Sequence, residues 1–155
     1  MSVDEFIAGP GETMDWVFDY WAGDNETAAE VIASTGAILM GRGTYEVEDR
    51  DRPGIYGVAW SGPYFVLTHN PPTDVPDWMT GTFIDEPIDA AVARAKDAAE
   101  GKSVGLLGPG VARQCLERGL LDEIVIHLAP CPARRRRPPI RGCGRPQGRA
   151  RANPR

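Results

Sequence analysis

Apolar and polar positions along the first 130 residues fall into short blocks whose period changes repeatedly. VDEFIA (3–8) alternates as a short strand and is closed by Gly9-Pro10-Gly11. In DWVFDYW (15–21), Trp16, Val17 and Tyr20 recur at helical spacing. Asn25 or Thr27 can cap a helix through Ser34, with Ala28, Val31 and Ile32 on one face. AILM (37–40) suits a buried strand, and GRGTYEVED (41–49) predicts a helix start. Gly and Pro interrupt 50–62, which reads as loop. YFVLTH (64–69) is a strand closed by Asn70-Pro71-Pro72, and 82–85 offers another. Asp85-Glu86-Pro87 opens a helix with an apolar stripe at Ala91, Val92, Ala95, Ala98 and Ala99, ended by Gly101. SVGLLG (103–108) predicts a strand, VARQCLERG (111–119) a short helix, and DEIVIHLA (122–129) a final strand.

Strands alternating with helices imply an α/β fold with a mainly parallel sheet. The chain has 155 residues, 42% hydrophobic and 25% charged. At about 100–200 residues per domain this is one domain with an adequate core, not a disordered, collagenous or coiled-coil chain. No apolar run is long enough to span a membrane. The first 30 residues contain no Lys or Arg. A secretory signal begins with basic residues, so the expected compartment is the cytoplasm.

The averages conceal a break after Pro130. Residues 131–155 hold nine Arg (134–137, 141, 145, 149, 151 and 155), five Pro, no Lys and no acid. That leaves eight of the 17 basic residues against all 22 acidic ones in 1–130, a net −14 beside a tail of +9. The domain is therefore 1–130, with an Arg/Pro-rich tail expected to be disordered. Three readings of the tail compete: a basic arm for nucleic acid or another polyanion, a solvated tail, or a high-GC gene read out of frame. Out-of-frame CGN, CCN, GGN and GCN codons yield Arg, Pro, Gly and Ala. Nine Arg without one Lys fits that third reading best.

Codon arithmetic tests it. Read one base later, the codons for Cys131 onward permit VLLGGGGRPF, and those after Pro146 permit KVELEPTR. The code allows these choices without forcing them. They restore an apolar strand, a Gly turn and an alternating strand. The expectation is one inserted base, or two deleted, near codon 131. Without its C-terminal partners, IVIHLA (124–129) would be an exposed apolar edge and the chain poorly soluble.

In open α/β sheets ligands bind beyond the carboxyl ends of strands. Three such ends carry small or polar residues: Gly41-Arg42-Gly43-Thr44, Thr68-His69 and Gly108-Pro109-Gly110. A Gly turn at a helix start suits phosphate, Arg42 adds a fork of donors and Thr44 a hydroxyl. Plainer readings stand beside each. Gly108 and Gly110 also suit a tight strand-to-helix turn, Arg42 a salt bridge to Glu46 or Asp49, and His69 an ordinary loop. His127 suits packing in mid-strand, and Cys115 a core position. Asp15, Trp16, Asp19 and Trp21 either line a pocket or form an amphipathic helix with solvated acids. Cys131 and Cys143 have no metal-ligand spacing, so no metal is assigned.

Together these pieces resemble the dihydrofolate reductase-like superfamily. More narrowly, they resemble the bacterial proteins named after the reductase (C-terminal) domain of the riboflavin-biosynthesis enzyme RibD. SVDEFIAGP (2–10) is similar to an S-L-D-G-x-I-A-G opening, ILMGRGTYE (38–46) to a G-R-x-T-x-E segment, and FVLTHNPP (65–72) to the next strand and turn. GLLGPGVARQCLERGLLDEIVIHLAP (105–130) resembles a long block that continues in relatives as V-L-L-G-G-G and an F, as the shifted frame permits. The likeness covers essentially all of 2–130.

The resemblance implies NADPH-dependent reduction of a small heterocyclic, carbonyl or imine substrate. It implies cofactor roles for Gly41, Arg42, Thr44, Thr68, Gly108 and Gly110, and a substrate-facing role for Asp4. Asp15 is the candidate proton-relay or orienting acid, and Trp16 a substrate contact. Several residues depart from the pattern. Glu5 replaces a Gly, Pro109 removes one N–H donor where a Gly is common, and relatives often begin several residues earlier. Folate as substrate and riboflavin-pathway activity are therefore not expected, and the expected natural start lies upstream. Two alternatives remain: a non-catalytic nucleotide-binding relic that has lost its C-terminal strands, and polyanion binding through the Arg tail. The body offers no basic face for the latter, so nucleic acid is not the expected partner. A homodimer is compatible with the sequence.

Overall fold

The computed structural model describes residues 1–7, 20, 26–48, 55, 60–75, 77 and 79–130. The chain divides into a unit spanning Asn25–Val125 and a second formed by its ends, Met1–Asp24 and Ile126–Arg155.

The larger unit is α/β. Helix α1 (Glu26–Ser34) runs directly into strand β1 (Thr35–Gly41), which runs directly into helix α2 (Arg42–Glu48). Strands β2 (Tyr64–Leu67) and β3 (Thr82–Ile84) follow, then helix α3 (Ile88–Ala98), strand β4 (Ser103–Leu107) and helix α4 (Pro109–Glu117). The four strands form one sheet in the order β3-β2-β1-β4, and every pairing is parallel.

Burial explains the central position of β1. Ala37, Ile38, Leu39 and Met40 are essentially inaccessible to solvent. A strand apolar on both faces belongs inside a sheet covered on both sides. Successive side chains alternate between the faces. Leu39, Phe65 and Ile84 pack with Ile88, Ala91, Val92 and Ala95 of α3 and with Val111 and Cys115 of α4. Ile38, Met40, Tyr64 and Val66 point the other way, onto Tyr45 of α2 and Ile55. Tyr45 also meets Phe83 edge to face, with ring centroids 5.1 Å apart.

The local signals explain the helices. Ala28, Val31 and Ile32 are the half-buried side of α1, whose remaining residues are exposed. In α3, Pro87 stands immediately before the first turn, with φ −56°. Asp89 lies in the first turn and Lys96 in the last, each at the end where the helix dipole favours its charge. Helix α4 begins at Pro109, so Pro109 and Gly110 belong to its first turn rather than to a preceding loop.

Two expected strands do not form. Residues 3–7 are bends: the Ser2 amide donates to the Phe6 carbonyl at 2.9 Å, and the Phe6 amide donates to Ser2 Oγ at 3.0 Å. This closes a turn that places Glu5 at φ +66°. Residues 122–128 carry no strand, and their region contributes a single parallel bridge, Ser2 with Ala129. A strand exists only where a partner takes up its N–H and C=O groups. The apolar side chains of this segment are open to solvent: Ile124 64%, Val125 51%, Ile126 56% and Leu128 64% exposed. His127, expected to be packed, is exposed as well. The helix expected at 15–21 and the tail from 131 lie outside the described residues, apart from Tyr20.

Candidate functional site

Topology brings the three strand-end segments to one edge. The register pairs Met40 with Leu107 and Gly41 with Leu67, and Leu67 in turn with Ile84. All four strands therefore finish within a residue or so of one another, at their carboxyl ends. Strand β1 is followed by a connection to β2 on one side, while β4 lies on its other side. That reversal makes the β1/β4 crevice the topological switch point, where open parallel sheets bind ligands.

Gly41 and Arg42 stand at the β1–α2 junction, Thr68 follows β2, and Gly108 alone separates β4 from α4. Gly108 has φ +96°, and an added Cβ would meet Thr44 Oγ1 at 2.1 Å. The two Gly-containing turns, 64 residues apart in the chain, are therefore in direct contact. A positive φ and this contact both require glycine at 108. Gly43 and Gly110 differ: among the described residues no atom beyond the local helix backbone lies within 4 Å of where a Cβ would stand, and neither has a positive φ. Both sit in the first turn of a helix, where Gly is less favourable than Ala by roughly 0.5–1 kcal/mol. Among the described residues nothing calls for glycine there, and the open space suits close approach of another molecule.

Arg42 is held from two directions. Its Nε donates to Glu46 Oε1 at 2.8 Å, and its Nη1 donates to the Asn70 carbonyl. The salt bridge expected with Glu46 is thus formed. The guanidinium has five N–H donors, so these bonds leave capacity for an anion. Thr68 donates its amide to the Ile84 carbonyl at 2.9 Å, and its Oγ1 accepts from the Asn70 amide at 3.2 Å.

One juxtaposition was not anticipated. His69 Nδ1 lies 2.6 Å from Asp85 Oδ1. The residues are 16 apart in sequence, and only the pairing of β2 with β3 makes them neighbours. The available signal was that each closely follows an apolar run.

Asp4 belongs to the unit formed by the chain ends, in the turn between Ser2 and Phe6 rather than on a strand. Asp15 and Trp16 lie outside the described residues. Cys115 is fully buried between α4 and the sheet, and burial, followed by the nearby Asp89 carboxylate, pushes its thiol pKa up. That favours the inert protonated form, in keeping with a core role. Among the described residues, no group of three or more His, Cys, Asp or Glu could hold a metal ion. No helix among them is long and apolar enough to cross a membrane.

No protein-family model and no curated protein matches this chain.

Proposed function

We propose that the chain is an NADPH-dependent reductase of the dihydrofolate reductase/RibD reductase type, acting on a small heterocyclic, carbonyl or imine substrate. The observation that supports this most directly is the contact of the β1–α2 and β4–α4 turns, Thr44 against Gly108, at the switch point of a parallel sheet. The residues there fit a dinucleotide phosphate. Gly110 and Val111 are first-turn residues of α4, whose amides lack intrahelical carbonyl partners. Pro109 supplies no donor. Thr44 brings a hydroxyl, and Arg42 brings a charged fork oriented by Glu46 and Asn70.

When bound, the nicotinamide supplies a hydride to an electrophilic carbon of the substrate. The chain's own part is to bind and orient the dinucleotide through Gly41, Arg42, Thr44, Thr68, Gly108 and Gly110. In this reading Asp4 and Trp16 face the substrate and Asp15 supplies or orients the proton.

Titration of the full chain with NADPH, followed by quenching of tryptophan fluorescence, tests the reading. Saturable binding is expected, weakened at least about tenfold by Gly110→Ala, because a methyl group would occupy the open approach. The same substitution is expected to leave helix α4 intact and slightly more stable. Absence of binding by the folded chain, or unchanged binding by Gly110→Ala, overturns it.

A further inference from the structure

Half of the exposed large apolar residues among those described, Ile124, Val125, Ile126 and Leu128, fall within five consecutive positions. They form a continuous run rather than the scattered apolar residues common on protein surfaces. One edge of this run is taken. The Met1 amine donates to the His127 carbonyl at 2.6 Å, the Ala129 amide donates to the Met1 carbonyl at 2.8 Å, and Ser2 bridges Ala129 in parallel. Those bonds use odd-numbered positions of the run. In an extended segment the N–H and C=O groups of one residue share an edge, and those of the next residue serve the other edge. Ile124, Ile126 and Leu128 therefore serve the opposite edge, and among the described residues nothing bonds their backbone groups. Such an edge is a template for pairing with another chain.

We propose that this free edge pairs with the same edge of a second copy, antiparallel about a two-fold axis, so that the chain forms a homodimer through 124–128. The proposal stands apart from the dinucleotide reading and uses none of its residues. Parity restricts the register: only an even-numbered residue can stand on the axis. Ile126 on the axis pairs Ile124 of each copy with the partner's Leu128. Alternate side chains of an extended segment share a face, so these three form one apolar row with their three counterparts.

Charge complementarity selects a second copy and its direction. The exposed Asp122 and Glu123 stand immediately before the run. The +9 of residues 131–155 follows it, with four consecutive arginines at 134–137. Antiparallel pairing about Ile126 sets Asp122 opposite the partner's Pro130, so each acidic end receives the partner's basic continuation. Parallel pairing would lay two +9 segments side by side. A polyanion would match the arginines and leave the apolar run bare. With its other edge already taken, each copy has one edge to offer, and the assembly closes at two.

Sedimentation equilibrium of the full chain over about 10–500 µM tests this. A monomer–dimer equilibrium is expected, weakened severalfold between about 0.05 and 0.5 M NaCl as the charges are screened. Ile126→Lys sets like charges opposite each other across the axis and is expected to weaken the dimer at least about tenfold. Leu116→Lys, at an equally exposed apolar position outside the run, is expected to leave it unchanged. Both side chains are exposed, so the variants keep the fold, which circular dichroism checks. The register has its own readout. In a chain carrying Cys131→Ser and Cys143→Ser, Ile126→Cys is expected to link the two copies by a disulfide under mild oxidation. Val125→Cys, offset from its counterpart by two positions, is expected to link them several times more slowly. A chain monomeric throughout the range, growth beyond two copies, or a dimer indifferent to salt or to Ile126→Lys overturns the proposal. Linking no faster at 126 than at 125 overturns it as well.

Discussion

Gly108 and Thr44 are in contact at the carboxyl edge of the sheet, with Thr44 Oγ1 in the space that a Cβ at 108 would take. The contact joins the start of α2 to the start of α4. Gly108→Ala meets both a 2.1 Å clash and a φ of +96°. It is expected to destabilise the chain by about 1–3 kcal/mol. Thr44→Ala removes the hydroxyl, so the double variant is expected to lose less than the sum of the single losses. Urea midpoints of the four proteins measure this. An additive cycle would show that the two residues do not share the contact.

Apolar residues divide into those the fold uses and those it leaves outside. Leu39 is 0% exposed at the centre of the sheet. Leu39→Ala is expected to cost about 2–5 kcal/mol. Ile124 is exposed, and Ile124→Ala is expected to fall within about 0.5 kcal/mol of the parent. Equilibrium unfolding in urea distinguishes the two.

Cys115 is closed to solvent, and its thiol is held above its ordinary pKa by burial and by Asp89. In a chain carrying Cys131→Ser and Cys143→Ser, alkylation of Cys115 is expected to proceed at the rate of unfolding. Fast labelling in buffer would contradict its place in the core. The raised pKa also fixes a sign. Below the unfolded-state value, about pH 8.5, both states keep the proton and this contribution to stability is complete. As pH rises from there through the folded value, the unfolded chain loses the proton first and stability falls. Unfolding midpoints between pH 7 and 10 read this slope.

The exposed apolar run Ile124, Val125, Ile126 and Leu128 has the character of a segment without its partner. Resequencing the gene across codons 125–155 tests whether one base is extra. A protein made from the shifted frame is expected to melt more than about 5 °C higher, since roughly 1 kcal/mol moves the midpoint of a domain this size by several degrees. Equal melting temperatures would show that the shifted segment adds no structure.

Local chemistry carried most of the element pattern. The AILM run marked the buried β1, and the i, i+3, i+4 spacing of Ala28, Val31 and Ile32 marked the inner side of α1. The Pro and Gly punctuation around 87, 101, 109 and 119 bounded α3 and α4 to within two residues or so. Each signal depends on residues within one or two turns of chain, which is why a sequence holds it. The same reasoning overreached at 3–7 and 122–128, where alternation marks a segment able to be a strand and only a paired neighbour makes it one.

The sequence by itself determined where the strands and helices from 26 to 117 fall, which faces are apolar, and that three strand ends carry small or polar residues. The tertiary structure decided that these ends share one edge, that Thr44 touches Gly108 across 64 residues of chain, and that His69 meets Asp85. Strand order and register follow from burying both faces of β1 at once. That condition couples residues far apart in the chain, and no local period encodes it.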